Sequence, residues 1–274
     1  MARFFYTLVL ILLLPYALLH LAWRARRQPE YLRHVGERFG FYALTSQRPL
    51  IWLHAVSVGE TRAAQPLVAR LRERFPRHQI LITHMTPTGR QTSTELFGDD
   101  IVRVYLPYDY PFAVTSFLRH FQPVIGVIME TEWWPNLIAA CRARGIPMLL
   151  VNARLSEKSM RGYARWPQLV RGSLKGLGAI AAQTQSDAER LQILGAQQVE
   201  VFGNLKFDIA PPAAQLEAGA VLRAAIGARP VLLAASTREG EEALILDALE
   251  REFQNNALND ALLIIVPRHP QRFD

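Results

Sequence analysis

Hydrophobic and polar positions divide the chain into two regimes. Phe4 to Trp23 reads FFYTLVLILLLPYALLHLAW, apolar on every side and without Asp, Glu, Lys or Arg. At about 1.5 Å rise per residue a helix of this run spans about 30 Å, the hydrocarbon thickness of a bilayer. From Leu50 onward short apolar runs alternate with amphipathic stretches. The runs predict strands at Leu50–Leu53, Gln79–Thr83, Ile101–Leu106, Val124–Met129, Met148–Asn152 and Ala179–Gln183. Several are apolar throughout, as parallel strands covered on both faces are. The stretches between predict helices at Thr61–Arg74, Thr88–Leu96, Phe112–Phe121, Asn136–Arg144 and Asp187–Leu194, with Thr86-Pro87 reading as an N-cap followed by proline at the first helical position. This alternation argues for an open α/β sheet wound with right-handed crossovers.

The N-terminal run predicts an uncleaved membrane anchor over residues 1–27. Arg24, Arg26 and Arg27 follow it and only Arg3 precedes it, so the positive-inside tendency places everything after Arg24 in the cytoplasm. Trp23 and Tyr6 suit the headgroup region. A signal peptide would carry its cations before the apolar run and a small-residue cleavage site after it. An interfacial helix would need a charged face. Pro15 is expected to kink the segment without preventing insertion.

The pattern breaks near Asp208-Ile-Ala-Pro211-Pro212. A helix at Leu216–Ala225, a strand at Val231–Ala235, a helix at Glu239–Gln254 and a strand at Leu262–Val266 follow. Residues 28–207 therefore read as one α/β domain and residues 208–274 as the start of another. Two strands cannot close a doubly wound sheet of usual size, so the second domain is expected to be incomplete.

Charge and cysteine usage add little. Lys plus Arg number 31 against 24 Asp plus Glu, a net charge of +7 that suits phospholipid headgroups, phosphorylated substrates or nucleic acid. The basic residues are not interleaved with aromatics along one stretch, which disfavours nucleic acid. The lone Cys141 forms no intrachain disulfide and reads as core filler.

Four segments carry polar residues at strand ends, where ligands bind in open α/β sheets. In His54-Ala-Val-Ser57-Val-Gly59-Glu60 the glutamate stands at a helix N-terminus, placed to act as a general base. Ser57-x-x-Glu60 is equally a capping box. In Met129-Glu130-Thr131-Glu132-Trp133-Trp134-Pro135-Asn136 two carboxylates end an apolar strand, which is costly to bury without a purpose. The tryptophans either line a sugar or lipid pocket or pack the next helix. In Gly203-Asn204-Leu205-Lys206-Phe207-Asp208 the lysine either neutralises phosphate or is a solvated surface cation. In Pro267-Arg268-His269-Pro270 the cations either hold a phosphate or carboxylate or form a plain basic loop. There is no GxGxxG after a strand, no P-loop, no GxSxG, no HExxH and no DxD. His54, His84 and His269 lie on separate elements, so neither a metal nor an organic cofactor is called for.

At these segments the chain resembles the 3-deoxy-D-manno-octulosonic acid (Kdo) transferases, lipid A glycosyltransferases of Gram-negative bacteria. The stretches that carry the resemblance are 54–60, Met85-Thr-Pro-Thr-Gly89, Tyr105-Leu-Pro-Tyr-Asp109, 129–136, Asn152-Ala-Arg-Leu-Ser156, Leu205-Lys-Phe-Asp208 and Val266-Pro-Arg-His-Pro270, with Gly36-Glu-Arg38 and Gly40 after the anchor. Each string is weak alone; in this order they are specific. The resemblance implies a GT-B fold, two Rossmann-like domains facing a cleft. It implies inverting, metal-independent transfer of Kdo from CMP-Kdo to a lipid A precursor, a phosphorylated and acylated glucosamine disaccharide, at the inner membrane. By the same resemblance the base falls on Glu60, stabilisation of the transition state on Glu130 and Lys206, and CMP contacts on Arg268 and His269. The Arg24 to Arg38 cluster is expected to meet anionic phospholipid. Other readings are a GT-B enzyme using a UDP-sugar, and a non-catalytic membrane-anchored module.

Overall fold

The computed structural model describes residues 1–253, 260–269 and 272. They form two compact units, Met1–Ile209 and Ala210–Asp274.

The first unit opens with helices α1 (Ala2–Leu12) and α2 (Leu14–Arg27), then 3-10 turns at Pro29–Leu32 and Val35–Phe39. The strands and helices that follow are β1 (Leu50–His54), α3 (Val58–Ala63), α4 (Gln65–Arg74), β2 (Gln79–His84), α5 (Pro87–Phe97), β3 (Val102–Tyr105), α6 (Pro111–Phe121), β4 (Ile125–Met129), α7 (Pro135–Ala143), β5 (Met148–Ala153), α8 (Glu157–Tyr163), α9 (Pro167–Leu174), β6 (Ala179–Ala182), α10 (Gln185–Ile193) and β7 (Val199–Val201). A 3-10 turn at Leu205–Asp208 closes the unit. The strands form one parallel sheet in the order β3-β2-β1-β4-β5-β6-β7. The winding reverses between β1 and β4, which is where such sheets open a ligand crevice.

Strand periodicity explains why both faces are apolar. Leu50 and Trp52 of β1 belong to one buried cluster, with Leu81, Phe117 and Ile128. Ile51 and Leu53 belong to the opposite one, with Val68, Ile80 and Ile82. Trp52 is fully covered and donates its indole N–H to Thr83 Oγ1 at 2.8 Å. Gly126 is required where β4 passes it, because a Cβ there would lie 2.7 Å from the Trp52 ring and 2.3 Å from Met148 Sδ. Prolines open α5, α6, α7 and α9, where a missing N–H costs nothing.

Two expectations are corrected. The stretch Thr61–Arg74 is two helices, because Pro66 sits in the first turn of α4 and the chain restarts after Ala64. The single-pass anchor is also two helices. Among the described residues no single helix is long and apolar enough to cross a membrane, although α1 and α2 together pass by length and composition as a pair bent by 50°. Pro15 is the cause: it has no N–H for the Ile11 carbonyl, and its ring crowds that carbonyl. The pair is also tied to the sheet domain. Tyr110 donates its hydroxyl to Leu10 O at 2.9 Å, Asn136 Nδ2 donates to Thr7 Oγ1 at 2.9 Å, and Leu21 and Ala25 are buried with Tyr31. The other side of the pair exposes Phe4, Leu12 and Leu19.

The second unit holds α11 (Ala213–Ile226), β8 (Val231–Thr237), α12 (Glu241–Phe253) and β9 (Leu262–Pro267), with β8 and β9 parallel. Gln254, the expected end of the last helix, and Pro270 of the final motif lie outside the described residues.

Candidate active site

The carboxyl ends of β1 and β4, at the reversal of strand order, carry three glutamates. Glu60 reaches this crevice from the turn after β1. Ser57 has extended backbone and caps α3: its Oγ accepts the Glu60 N–H at 3.4 Å and donates to Glu60 Oε1 at 3.0 Å. Glu60 Oε2 accepts the Val56 N–H at 2.8 Å. The capping box is therefore real, with its reciprocal bond made one residue earlier than usual. Glu60 is 7 % exposed, and burial lifts its pKa above the ordinary value. The bonds from Val56 and Ser57 oppose that rise, and the charge of Glu130 adds to it. One of its two acceptor bonds comes from a rotatable hydroxyl, so Oε1 can exchange the Ser57 hydroxyl for a substrate hydroxyl without losing the Val56 anchor.

The turn is held from the side by α5. Thr86 caps that helix, accepting the Gly89 N–H at 3.1 Å, and donates to Val56 O at 3.0 Å. A Cβ at Gly89 would lie 3.0 Å from Val56 O, so glycine sets how closely α5 approaches the turn.

Glu130 ends β4 with φ +55°, a left-handed backbone uncommon outside glycine. Its N–H still bonds Val151 O at 2.9 Å, so the strain re-aims the chain without breaking the ladder. Two residues on, burial first and then the charges of Glu60 and Glu130 push the Glu132 carboxyl up to about 7. Glu60, Glu130 and Glu132 thus form one coupled acidic group. His54 and His84 lie beneath it, fully buried. Burial pushes both down to about 3, so they are neutral struts at physiological pH. His84 Nδ1 donates to Ala55 O at 2.8 Å, and the His54 ring stands edge-on to Trp134. Trp133 packs on Tyr163. Among the described residues no group of His, Cys, Asp or Glu is arranged to hold a metal ion.

Lys206 stands on the Leu205–Asp208 turn, which packs against α3 and α4. The lysine is exposed, and its N–H bonds Asn204 Oδ1 at 3.0 Å. Motif reading did not single out the residue that clamps this turn. Asn152, 2 % exposed with φ +54° at the end of β5, accepts the Leu205 N–H at 3.1 Å through its Oδ1. Its signals were its place in Asn152-Ala-Arg-Leu-Ser156, one of the stretches that carry the resemblance, and a polar residue closing an otherwise apolar strand. Asp109 also stands in one of those stretches. It caps α7 from the loop after β3, accepting the Asn136 and Leu137 N–H groups at 2.9 and 2.8 Å. Burial holds it at about 7, against the pull of those bonds.

Arg268 and His269 belong to the second unit. They follow β9 and are exposed, with the Arg268 N–H bonded to Thr237 O at 2.9 Å. There β8 bulges through Ser236, at φ +62°. The structure therefore gathers the glutamates, places the Lys206 turn against the helix of Glu60, and sets Arg268 and His269 in the second unit.

Residues 33–209, which include the glutamates and Lys206, match the family described as 3-Deoxy-D-manno-octulosonic-acid transferase (kdotransferase). The chain belongs to this family. It is 45 % identical over 285 residues to the 3-deoxy-D-manno-octulosonic acid transferase of Bordetella pertussis, covering 100 % of this chain and 66 % of that protein. The Haemophilus influenzae protein of the same name is 37 % identical over 282 residues, covering 100 % of this chain and 65 % of that protein. The chain thus spans just under two thirds of these Kdo transferases. Solved structures similar to it include the UDP-GlcNAc 2-epimerase of Neisseria meningitidis bound to UDP-GlcNAc, with TM-score 0.53, 17 % identity, and 79 % of this chain and 64 % of that one covered. A second is the putative UDP-N-acetylglucosamine 2-epimerase of Listeria monocytogenes, with TM-score 0.52, 15 % identity, and coverage of 80 % and 62 %. At such identities the likeness is one of fold, a GT-B-like α/β architecture with a parallel sheet.

Proposed function

We propose that the protein carrying this chain is an inverting, metal-independent glycosyltransferase of its family, moving Kdo from CMP-Kdo to a lipid A precursor at the cytoplasmic face of the inner membrane. The observation that carries this reading is Glu60, fixed by Val56 and Ser57 at the switch point of the sheet in a Kdo transferase family member.

In this reading the Glu60 carboxylate takes the proton of the acceptor hydroxyl as its oxygen bonds to the anomeric carbon. The bond from that carbon to the CMP phosphate breaks, and its electron pair leaves with CMP. Attack opposite the leaving group inverts the centre. Glu130 stabilises the positive charge that develops on the sugar, and the charge of Lys206 neutralises the departing phosphate. On the second unit Arg268 and His269 contact CMP. The bent helix pair, with its exposed apolar side, keeps the domain on the bilayer, and Arg24, Arg26, Arg27 and Arg33 favour anionic phospholipid. The anchorage raises the effective concentration of a lipid acceptor.

The test is donor dependence. The full-length protein in detergent or vesicles is given lipid acceptor with CMP-Kdo or with UDP-GlcNAc, and product is read by mass spectrometry. Transfer from CMP-Kdo alone, unaffected by chelator, is expected. Transfer from UDP-GlcNAc, or a strict metal requirement, overturns the reading.

A further inference from the structure

Gly36-Glu37-Arg38 carries the resemblance but has no part in the chemistry above. It lies on the 3-10 turn Val35–Phe39, and both charged side chains are covered, Glu37 to 8 % exposure and Arg38 to 2 %. Burying a charge is costly unless its bonds are well made. Glu37 Oε2 accepts from Arg90 of α5 at 2.6 Å and from the Tyr105 N–H at 2.7 Å. Tyr105 ends β3, the edge strand, so the carboxylate satisfies a ladder donor that no neighbouring strand reaches. Arg90 also donates to Arg103 O at 3.0 Å. The Arg38 guanidinium covers the Tyr105 ring, 4.0 Å from its centroid, and its Nη2 donates to Met85 O at 3.1 Å. The turn itself is seated firmly. Gly40, at φ +86°, closes it where a Cβ would lie 2.8 Å from Ala113 O.

Met85 and Arg90 bracket the cap of α5. Arg38 therefore holds the chain just before Thr86, and Glu37 holds it just after Gly89. Thr86 donates to Val56 O at 3.0 Å, and the Val56 N–H donates to Glu60 Oε2 at 2.8 Å. A continuous run of bonds thus leads from the Val35–Phe39 turn, through the α5 cap and Val56, to the Glu60 carboxylate.

We propose that Glu37 and Arg38 are positioning residues for Glu60: by gripping both ends of the α5 cap they press Thr86 against Val56 and so fix the amide that anchors the carboxylate. The proposal rests on Glu60 as the base of the reaction above and adds the residues that hold it in place.

The sign of the effect separates positioning from direct charge. The Val56 bond favours the ionised form of Glu60, opposing burial and the charge of Glu130, so loosening it raises the pKa further. Removing the Glu37 charge by itself works the other way, because a nearby negative charge raises a carboxyl. Arg38→Lys changes no charge, although it loses the planar stack on Tyr105.

Full-length Glu37→Gln and Arg38→Lys proteins test this beside Leu194→Ala, a core truncation at the end of α10 that controls for lost stability. The first readout is hydrogen exchange of the 55–60 amides without substrate, which should quicken by about tenfold or more in both variants. The second is kcat against pH. Its acid limb belongs to Glu60, Glu130 and Glu132 together, and in both variants it should move up by about half a unit or more. The plateau kcat should fall by about fivefold or more with donor KM within about twofold. Leu194→Ala should leave the exchange of 55–60 and the limb as in wild type. Should Glu37→Gln fail to fold, Arg38→Lys decides alone. Unchanged exchange at 55–60, or an unmoved limb, overturns the proposal and leaves the turn a brace for the fold. A limb that falls in Glu37→Gln also overturns it, as a direct charge effect. Quickened exchange in variants of a wild-type protein that transfers nothing from CMP-Kdo leaves the grip on Glu60 standing and removes the Kdo transfer reading instead.

Discussion

At the scale of single residues, one carboxylate serves two purposes. Glu60 completes the cap of α3, and the same bonds fix it where the sheet opens. The capping and catalytic readings of Ser57-x-x-Glu60 therefore do not compete. Glu130 was legible because a charged residue ended an apolar strand. Its left-handed backbone was not, since no residue type in that motif requires it. Glu132 carries a consequence for stability. Its folded pKa of about 7 lies above the ordinary 4.5, so the folded state binds that proton more tightly than the unfolded chain. Its contribution is greatest below about pH 4.5 and is lost as pH rises to about 7. Glu132→Gln should therefore be more stable than wild type at pH 8, by about 1–2 kcal/mol after solvent screening, and equal to it near pH 4. Urea melts across that range check it; a gain that persists at pH 4 contradicts it. Asn152 is the second residue-scale case. Asn152→Ala leaves the Leu205 N–H without its acceptor, a loss of about 1–3 kcal/mol. It also frees the turn that carries Lys206. Transfer should fall more than stability does, and Asn152→Asp, which keeps the acceptor oxygen and tolerates the left-handed backbone, should restore kcat. Failure of Asp to restore it removes the positioning role.

At the scale of elements, the sheet was readable because buried parallel strands are apolar on both faces, and each expected strand has its counterpart. Helix bounds were less so. Pro66 split one expected helix, and α8 and α9 went unread. They are short, and Gly162 and Gly172 inside them weaken the helical pattern. The anchor divides in the same way: Pro15 foretold the bend, while the side chains that dock the pair lie elsewhere in the chain and were not readable from the apolar run. Asn136 bridges Thr7 of α1 to the backbone of Asp109, next to the loop of Glu130 and Glu132. Thr7→Val removes that bridge and leaves Leu21 and Ala25 packed on Tyr31. Hydrogen exchange in detergent should accelerate in α1 and stay unchanged in α2. Equal protection of α1 in both proteins means that the Thr7–Asn136 bridge does not hold it.

At the scale of the molecule, family membership rests on residues 33–209, where the glutamates and the Lys206 turn lie. Arg268 and His269 fall beyond that span, on the second unit. The proposal that they bind CMP comes only through resemblance, since an exposed Pro-Arg-His after a strand carries no geometry of its own. The account's central claim is that an ionised Glu60 draws the proton from the acceptor alcohol. The most direct measurement is single-turnover transfer by the full-length Glu60→Gln protein, with CMP-Kdo and lipid acceptor, beside an equilibrium measurement of CMP binding. Glutamine keeps one oxygen for Val56 and removes the base, so the rate should fall by at least about 100-fold with CMP affinity within about twofold. Near-normal turnover in that variant, with the protein folded and CMP bound, contradicts the claim.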